Sequence, residues 1–480
     1  MLPGLFGLTA ECFDGMRFAL DSENGLREAR APIPFFKEYI MPGTVASTPL
    51  ARNLKRLSHL GLPGAGQVYI AGQHAYVGHL PNQQSLGTSI LDIADPLKPR
   101  LVSQITLDDP DSHSHKVRAV GDIMIVNHER NQTAIGRKAE QLPPLRERLR
   151  QGLGREPTHA ELAQKLGIAE SDIPMVEAAE RKPYDRGGFR IYDISDRSKP
   201  KLITHQKTGG VGVHRFAADG NYAYISTEMA GYVGAILVIY DIRHPAKPEE
   251  VARWWLPGQH LAGGEKPTWV GRRNRLHHAL RFGDELWAAC WQAGVRVIDV
   301  TDIRKPRTVG EYNYHPPFPE PSHTFMPVPF RIDGRRVALA IDEEDHASSA
   351  EEMERRRGRP HGCLWVFDVS DLAKIQPLAI YQASELDSPW SRTAPGRFGA
   401  HQFQEHMTDT LVCCAWFSGG LRIVDIADPM SPLEVGHFIP DPAPGKPSPL
   451  TNDVDVDDRG LIFIVDRYAG FDILEFERKP

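Results

Sequence analysis

Five histidines stand at the same place in a pattern that repeats along the chain. Each begins a short apolar stretch that is followed by a turn, as in "GVHRFAADGNYAYIS" at residues 212–226. The five are His115, His214, His278, His323 and His401. Neutral imidazole is the commonest protein ligand for transition metals, and a group of imidazoles also binds anions when it is protonated. We therefore expect a metal site, provided that the fold brings these positions together.

The repeated pattern has two parts. One is an Asp-rich turn after a strand, as in "LDIADPLKP" from Leu91, "YDISDRSKP" from Tyr192 and "VDIADPMSP" from Val424. The other is a turn followed by an apolar strand, as in "DGNYAYIS" and "GDELWAAC". Together they predict units of four short antiparallel strands over about 40 to 50 residues, the period of a propeller blade.

Repeats of this kind predict an all-β fold, a seven-bladed β-propeller spanning residues 52–480. The last unit ends after its third strand, whereas "RNLKRLSHLGL" from Arg52 to Leu62 resembles a fourth strand without a unit before it. We expect this N-terminal strand to close the last blade. Residues 1–51 are predicted to be an N-terminal extension that packs on the propeller. Separate β-sandwiches are the alternative, but they leave the even repeat unexplained.

The repeated segments resemble a known family. "GNYAYI" and "GLRIVDIADPMSP" are similar to LVIVD repeats, which that family builds into β-propellers. The resemblance covers the chain from Arg52 onward apart from insertions, and it implies a fold without implying any catalytic residue. Histidines on a propeller axis also resemble the four that hold iron in carotenoid-cleaving oxygenases. "RLHHALRF" around His278 is similar to the selenium-binding protein and methanethiol oxidase group, whose histidines lie near a metal.

Innermost propeller strands run parallel along a central channel, so equivalent positions form a ring at one mouth. In the two remaining units the equivalent position, which we call the slot, is occupied by Gln67 and Asp453. Asp453 is a possible further ligand or orienting group. No CxxC pair is present, which favours iron or copper, with zinc as a further possibility, over a thiolate site. The alternative is structural: each histidine caps a backbone carbonyl of a neighbouring blade.

The second strand of each unit ends at the same mouth and brings further side chains there. We predict Glu228 and His278 as catalytic groups, and Trp291, Trp416 and Arg467 as substrate-binding residues. The long loops are expected to lie on this face as well, covering a buried site. The alternative is that one enlarged face binds a protein partner.

The largest insertion, residues 132–186, is predicted to be helical and to belong to the second blade. Thr158 and Glu161 have the spacing of a capping box, and Gly167 is a helix stop. "LGREPTHAELAQKLGI" resembles the helix-turn-helix segment of sigma-factor region three, but the next helix carries acids where DNA recognition needs positive charge. We expect a lid over the site, and a contact between copies in a homo-oligomer is a further possibility.

Composition narrows the function classes. The formal net charge of −6 and a pI near 6.4 argue against nucleic acid or an anionic membrane as partner. The sequence has no apolar run of membrane-span length, the N-terminus is a poor secretory signal, and five cysteines without a pairing motif suit a cytoplasmic protein. The sequence thus predicts a metal-dependent enzyme, of oxidoreductase or lyase type, that acts on a small and possibly aromatic molecule. A metal-free lyase with a histidine base and a non-catalytic interaction propeller are the alternatives.

Overall fold

The computed structural model describes residues 50–182, 184–269 and 272–477. The extension predicted over residues 1–51 lies almost wholly outside the described residues. The first described strands are β1 (Leu50–Arg52) and β2 (Leu54–Leu60). No helix in the described part of the chain is long and apolar enough to cross a membrane.

Antiparallel strands then follow in successive groups, most of them of four strands. Pairing between neighbouring groups joins them further, so that the described strands form sheets of nine, nine, eight and four strands. In chain order the groups are β3 (Ala65–Ala71), β4 (His74–His79), β5 (Leu86–Asp92) and β6 (Arg100–Thr106); the short β7 (Ser112–His113) with β8 (Val117–Val120), β9 (Ile123–Arg130), β10 (Gly188–Asp193) and β11 (Lys201–Lys207); β12 (Gly209–Ala218), β13 (Tyr222–Glu228), β14 (Ala235–Asp241) and β15 (Glu249–Trp254); β16 (Asn274–Phe282), β17 (Glu285–Trp291), β18 (Val295–Asp299) and β19 (Arg307–Tyr312); β20 (Ser322–Ile332), β21 (Arg335–Asp342), β22 (Leu364–Asp368) and β23 (Gln376–Tyr381); β24 (Phe398–Phe403), β25 (Leu411–Phe417), β26 (Leu421–Asp425) and β27 (Leu433–Ile439); and β28 (Thr451–Val456), β29 (Ile462–Asp466) and β30 (Gly470–Phe476).

The last group takes its fourth strand from the beginning of the described chain. Strand β2 pairs antiparallel with β30, with Leu54 opposite Phe476 and Leu60 opposite Phe471. Strand β1 pairs with β27 of the preceding group. The pairing that the sequence predicts for the segment from Arg52 to Leu62 is therefore present, and it joins two regions about 400 residues apart in the chain.

The Asp-rich motif forms the turn after the third strand of a group. The carboxylate of the strand's last Asp accepts a hydrogen bond from the backbone N–H two residues later. Asp92 accepts in this way from Ala94 (3.0 Å), and Asp425 accepts from Ala427 (2.9 Å). The second Asp of the motif repeats this contact, as Asp95 does with the N–H of Leu97. These are Asx turns, in which a short acidic side chain replaces a backbone acceptor. The motif therefore sets where each third strand ends.

Apolar side chains pack between neighbouring sheets and leave the innermost strands facing the centre. Leu237 and Ile239 of β14 lie in the same buried cluster as Leu286 and Ala288 of β17, for example. The third strands are almost continuously apolar because both of their faces are covered. The result is an all-β, propeller-like architecture.

The insertion between β9 and β10 contains three helices, α1 (Thr133–Leu153), α2 (His159–Leu166) and α3 (Ile173–Arg181). The Thr158 hydroxyl accepts from the N–H of Glu161 (3.3 Å), and the Glu161 carboxylate accepts from the N–H of Thr158 (2.8 Å), which is the expected capping box. The helices have their own apolar core, which includes Leu142, Leu162 and Val176. A shorter helix, α4 (Ala350–Arg355), lies in the insertion between β21 and β22.

Candidate metal centre

Six imidazoles form a continuous arc where the innermost strands begin. Neighbouring ring centroids along the arc lie between 4.1 and 5.3 Å apart. We call this set the imidazole arc; in order it contains His113, His115, His214, His277, His323 and His401. Four of the five histidines chosen from the sequence therefore lie together.

A β-bulge positions each member that belongs to an innermost strand. Val213 pairs with Thr227 and Arg215 with Ser226, so His214 is the extra residue of β12. In β20 the extra residue is His323, between Ser322 and Thr324. A bulge leaves its residue unpaired in the ladder and re-aims the side chain, here toward the centre. The register shifts of β16 and β24 likewise fall in the segments that hold His277 and His401.

The same bulge occurs in the two units without a histidine. Gly66 is the extra residue in β3 and Asn452 in β28, so these residues, and not Gln67 and Asp453, occupy the slot. The Asn452 side chain donates to the carbonyl of Gly66, and His401 Nδ1 donates to the carbonyl of Asn452. A Cβ atom on Gly66 would lie 2.9 Å from the Cβ of His115. Asn452 and Gly66 therefore lie between His401 and His115.

Two groups of potential ligand atoms lie on the arc. His277, His323 and Glu343 form one, and His113, His115 and Glu129 form the other. Within each group the ligand atoms are all within 4.8 Å of one another. Two imidazoles and one carboxylate are a frequent donor set for first-row transition metals.

Hydrogen bonds fix the ring nitrogens of the first group. His277 Nδ1 donates to the backbone carbonyl of His323 (2.6 Å), so its proton is on Nδ1 and Nε2 carries the lone pair. The same tautomer holds in His323, whose Nδ1 donates to Gln402 Oε1 (3.1 Å), and in His401, whose Nδ1 donates to Asn452. His277 Nε2 is buried and has no hydrogen-bond partner among residues 50–182, 184–269 and 272–477. Orienting contacts of this kind are typical of metal-binding histidines.

Burial keeps these rings neutral. It lowers the pKa of His277, His323 and His401 below the ordinary histidine value, and the cations Arg215 and Lys116 near them act in the same direction. Neutral imidazole is the form that coordinates a metal. Three lone pairs are therefore available at this part of the arc at neutral pH.

Glu343 supplies the negative charge beside these rings. Its Oε1 accepts from Arg397 Nη1 (2.8 Å) and lies 4.0 Å from His401 Nε2. Burial alone would raise the pKa of Glu343, but the guanidinium of Arg397 holds it below the ordinary value. Glu343 is thus a fixed carboxylate, and sequence reasoning missed it because it lies in a loop after β21.

The second group is organised around Glu129. Both carboxylate oxygens lie 3.0 Å from His214 Nδ1, and Oε2 is 3.4 Å from His113 Nε2. Burial acts to raise the pKa of Glu129, but these imidazoles hold it below its ordinary value. His115 Nδ1 instead faces the amide N–H of Asn127 (3.2 Å), which fixes a different tautomer. Glu129 thus acts mainly on His214, which is the more exposed ring.

His278 does not belong to the arc, contrary to the sequence-based assignment. Its ring is buried, with Nδ1 3.4 Å from Arg215 Nε and 3.7 Å from Glu405 Oε1. The neighbouring His277 takes the predicted place, because successive side chains of a strand point to opposite sides and the bulge of β16 sets which one faces the arc. The predicted metal and catalytic roles of His278 therefore do not fit its position.

The aromatic wall differs from the prediction in one residue. Trp291 lies 5.3 Å from the His277 ring, with the guanidinium groups of Arg273 and Arg275 over its face. Trp416 is fully buried among core side chains, and its neighbour Phe417 contacts the His401 ring at 4.6 Å. Trp416 is therefore a core residue. Phe417 occupies the place next to the arc that the sequence analysis had assigned to Trp416.

Glu228 and Arg467 lie at this face with defined partners. Glu228 Oε1 accepts from Arg137 Nε of α1 (2.6 Å), which ties the helical insertion to the end of β13. Arg467 Nε donates to Asn452 Oδ1 (2.6 Å), and its guanidinium lies over Phe417 at 5.4 Å. Glu228 thus anchors the insertion, and its contacts do not include the arc. Arg467 lines the wall beside His401.

Comparison with known proteins identifies the repeat. Residues 185–208, 213–254 and 411–439 match the LVIVD repeat family. No curated protein matches the chain. Among solved structures, the periplasmic gluconolactonase PpgL of Pseudomonas aeruginosa is similar with 11% identity and a TM-score of 0.48, over 82% of this chain and 89% of that one. Sqt1 of Saccharomyces cerevisiae is similar with 7% identity and a TM-score of 0.45, over 88% of each chain. The chain thus carries LVIVD repeats in a propeller-like, all-β fold.

Proposed function

We propose that the protein is a metal-dependent enzyme whose metal ion is held by His277, His323 and Glu343, with His401 as a further ligand. The observation that carries this proposal is the set of hydrogen bonds that places the proton of each ring on Nδ1 and leaves the lone pair on Nε2, in a group whose ligand atoms lie within 4.8 Å of one another. His277 Nε2 is buried and makes no hydrogen bond to any described residue, so its lone pair is available to a ligand.

The donor set favours a metal of intermediate softness. Imidazole suits iron, copper and zinc, and two imidazoles with one carboxylate are typical of non-haem iron. The described cysteines are buried and none belongs to the arc. Iron or copper is therefore proposed first, and zinc second. A metal at this place would supply Lewis-acid or redox chemistry to a bound molecule.

The surroundings support a small-molecule substrate. Trp291 and Phe417 provide aromatic faces on either side of the first ligand group, and Arg397 and Arg467 lie over Phe417. Aromatic walls with a few fixed charges are typical of pockets for small and partly aromatic molecules. We propose that the helical insertion, anchored through Arg137 and Glu228, covers this face as a lid.

A specific contact also favours the second candidate, a metal-free lyase. His214 is about one-third exposed at its side chain, and the buried Glu129 accepts from its Nδ1. A carboxylate that accepts from Nδ1 fixes the orientation and tautomer of an accessible imidazole and leaves Nε2 with the lone pair, which suits a general base. In this function His214 Nε2 would take a proton from the substrate.

We also propose that the propeller has seven blades. The successive four-stranded groups, with β2 completing the last, support a propeller of seven blades. Such a ring would place the bulge residues of all innermost strands around one channel.

Elemental analysis of the purified protein after growth with added iron, copper and zinc tests the metal centre. We expect a stoichiometric metal in the wild type and its loss in Glu343→Gln with the melting temperature retained. A wild type without bound metal that still consumes substrate in a His214-dependent manner would favour the lyase. A protein with neither property would be a non-catalytic interaction propeller.

A further inference from the structure

A polar cavity lies farther along the same innermost strands, away from the imidazole arc. It has a volume of about 200 Å³ and is lined by residues that follow the arc positions in sequence, among them Tyr69, Arg118, Leu280 and Asp453. Glu405, just after β24, completes one wall. This volume is smaller than a typical drug-sized pocket and suits a molecule of a few heavy atoms.

Two buried arginines share one carboxylate at this cavity. Arg215 Nη2 donates to Glu405 Oε1 (2.6 Å), and Arg118 Nη2 pairs with Glu405 Oε2. Arg215 is fully buried and Arg118 is 7% exposed. Glu405 together with Asp453, which lines the same cavity, balances these two cations, and all of these charges are screened very little at such depth.

Each arginine also has an N–H group without a partner. Arg118 Nε and Arg215 Nη1 are buried and make no hydrogen bond to any residue that the structure describes. A guanidinium can only donate, and a carboxylate is the acceptor that fits its fork. The unpaired groups therefore call for an anionic acceptor, and Arg118 lines the cavity where such a group would sit.

The opposite requirement is found at Asp453. Its Oδ1 accepts from the N–H of Val454 (2.9 Å), whereas Oδ2 is buried and has no hydrogen-bond partner in the described part of the chain. Asp453 lines the same cavity and is 2% exposed. An ionised carboxylate can only accept, so Oδ2 requires a hydroxyl or ammonium donor, and its charge disfavours a dianion such as phosphate.

We propose that this cavity binds a small carboxylic acid that carries a hydroxyl or amino group next to the carboxylate. Arg118 binds the carboxylate, with Arg215 supplying charge behind it, and Asp453 accepts from the neighbouring donor. Val68, Leu280 and Phe282 leave an apolar wall for a short side chain. This site does not depend on the metal centre.

Calorimetric titration with L-lactate, L-alanine and propionate tests the proposal, because the three acids differ mainly at the second carbon. We expect saturable binding of lactate or alanine, and roughly tenfold weaker binding of propionate, which has no donor for Asp453. Asp453→Asn should remove most of this discrimination. Equal affinities for all three acids, or no saturable binding of any, would overturn the proposal and leave ordered water as the partner of these groups.

Variants separate binding from folding. Arg118→Gln should abolish acid binding, and Arg118→Lys keeps the charge opposite Glu405 but loses the fork, so it should weaken binding in a folded protein. Arg281→Gln is the matched control, since Arg281 lines the cavity but is already paired with Asp219 (3.1 Å) and Tyr224 (2.7 Å). His323→Ala should bind the acid like the wild type. Unchanged affinity in Arg118→Lys would contradict the assignment.

Discussion

His277 Nδ1 donates to the backbone carbonyl of His323 at 2.6 Å, and the two imidazole rings lie 4.1 Å apart. The contact joins two innermost strands that are 46 residues apart in sequence. It fixes the tautomer of His277, and one ring nitrogen of each histidine lies within 4.8 Å of a Glu343 oxygen.

The adjacent histidines of β16 provide a direct test of this geometry. His277→Ala should lower metal affinity by at least about tenfold, the lower end of what loss of even an orienting contact costs. His278→Ala should leave the metal content unchanged because His278 lies beside Arg215 and Glu405. Elemental analysis and metal titration of both variants check this. The opposite pattern, with metal lost only in His278→Ala, would restore the sequence-based assignment and exclude the centre described here.

The neighbouring residues Trp416 and Phe417 should differ in the same way. Trp416→Ala removes a fully buried core side chain and should lower the free energy of unfolding by roughly 3–5 kcal/mol. Phe417→Ala should instead alter the environment of His401, whose ring it contacts at 4.6 Å. Urea unfolding measures the first effect and metal titration the second. A stable Trp416→Ala protein would show that the indole is not part of the core.

Arg137 should control the attachment of the helical insertion. Arg137→Ala removes the contact to Glu228 and is expected to speed hydrogen exchange in α1 roughly tenfold, because a hydrogen bond to a charged group is lost. Arg146→Ala is the control, since Arg146 pairs with Glu177 and Glu180 inside the insertion. Exchange rates measured by mass spectrometry should rise in the first turns of α1, next to the end of β13, only in the Arg137 variant. Equal responses in both would mean that the insertion is held by other contacts.

His361 should make stability depend on pH. Burial lowers its pKa, but contacts with Glu344 (3.0 Å) and Glu385 (2.9 Å) outweigh burial and raise the pKa to about 9. Because the pKa of His361 is higher in the folded than in the unfolded protein, its protonated form stabilises the fold. This stabilisation is complete below about pH 6.5, the pKa in the unfolded protein, and is lost as the pH rises through about 9. His361→Asn should therefore be less stable than the wild type at pH 6, by up to about 3 kcal/mol.

Urea unfolding of both proteins from pH 6 to pH 10 checks this prediction. The difference in unfolding free energy should shrink as the pH rises, because the wild type then loses the protonated form of His361. His244→Asn, at an exposed site, should show no such trend. A difference that stays constant with pH would mean that His361 acts through packing alone.

Local sequence patterns predicted much of the fold. Asp92 and Asp425 mark turns that depend on a hydrogen bond between a carboxylate and the N–H two residues later. An interaction this local can be predicted from the sequence of a single repeat. The resemblance to LVIVD repeats was confirmed by the family match. Thr158 and Glu161 form their capping box for the same local reason.

The candidate site was only partly predictable. The repeat gave the right histidine in four units, but His113 and Glu343 stand outside the repeated slot and were missed. The closely spaced histidines in "SHSHK" were a visible signal for His113. For Glu343 there was none, since a loop acid gains its role only from the rings it meets in space.

The sequence by itself determined the four-stranded units, the Asp turns and the recurrence of an imidazole at the start of the innermost strands. Only the tertiary structure decided which of two adjacent residues faces the centre: His277 over His278, Asn452 over Asp453, and Phe417 over Trp416. The physical reason is the bulge or strand end at each position. A shift of one residue sends a side chain to the other side of the strand, and the strands of neighbouring sheets fix that register.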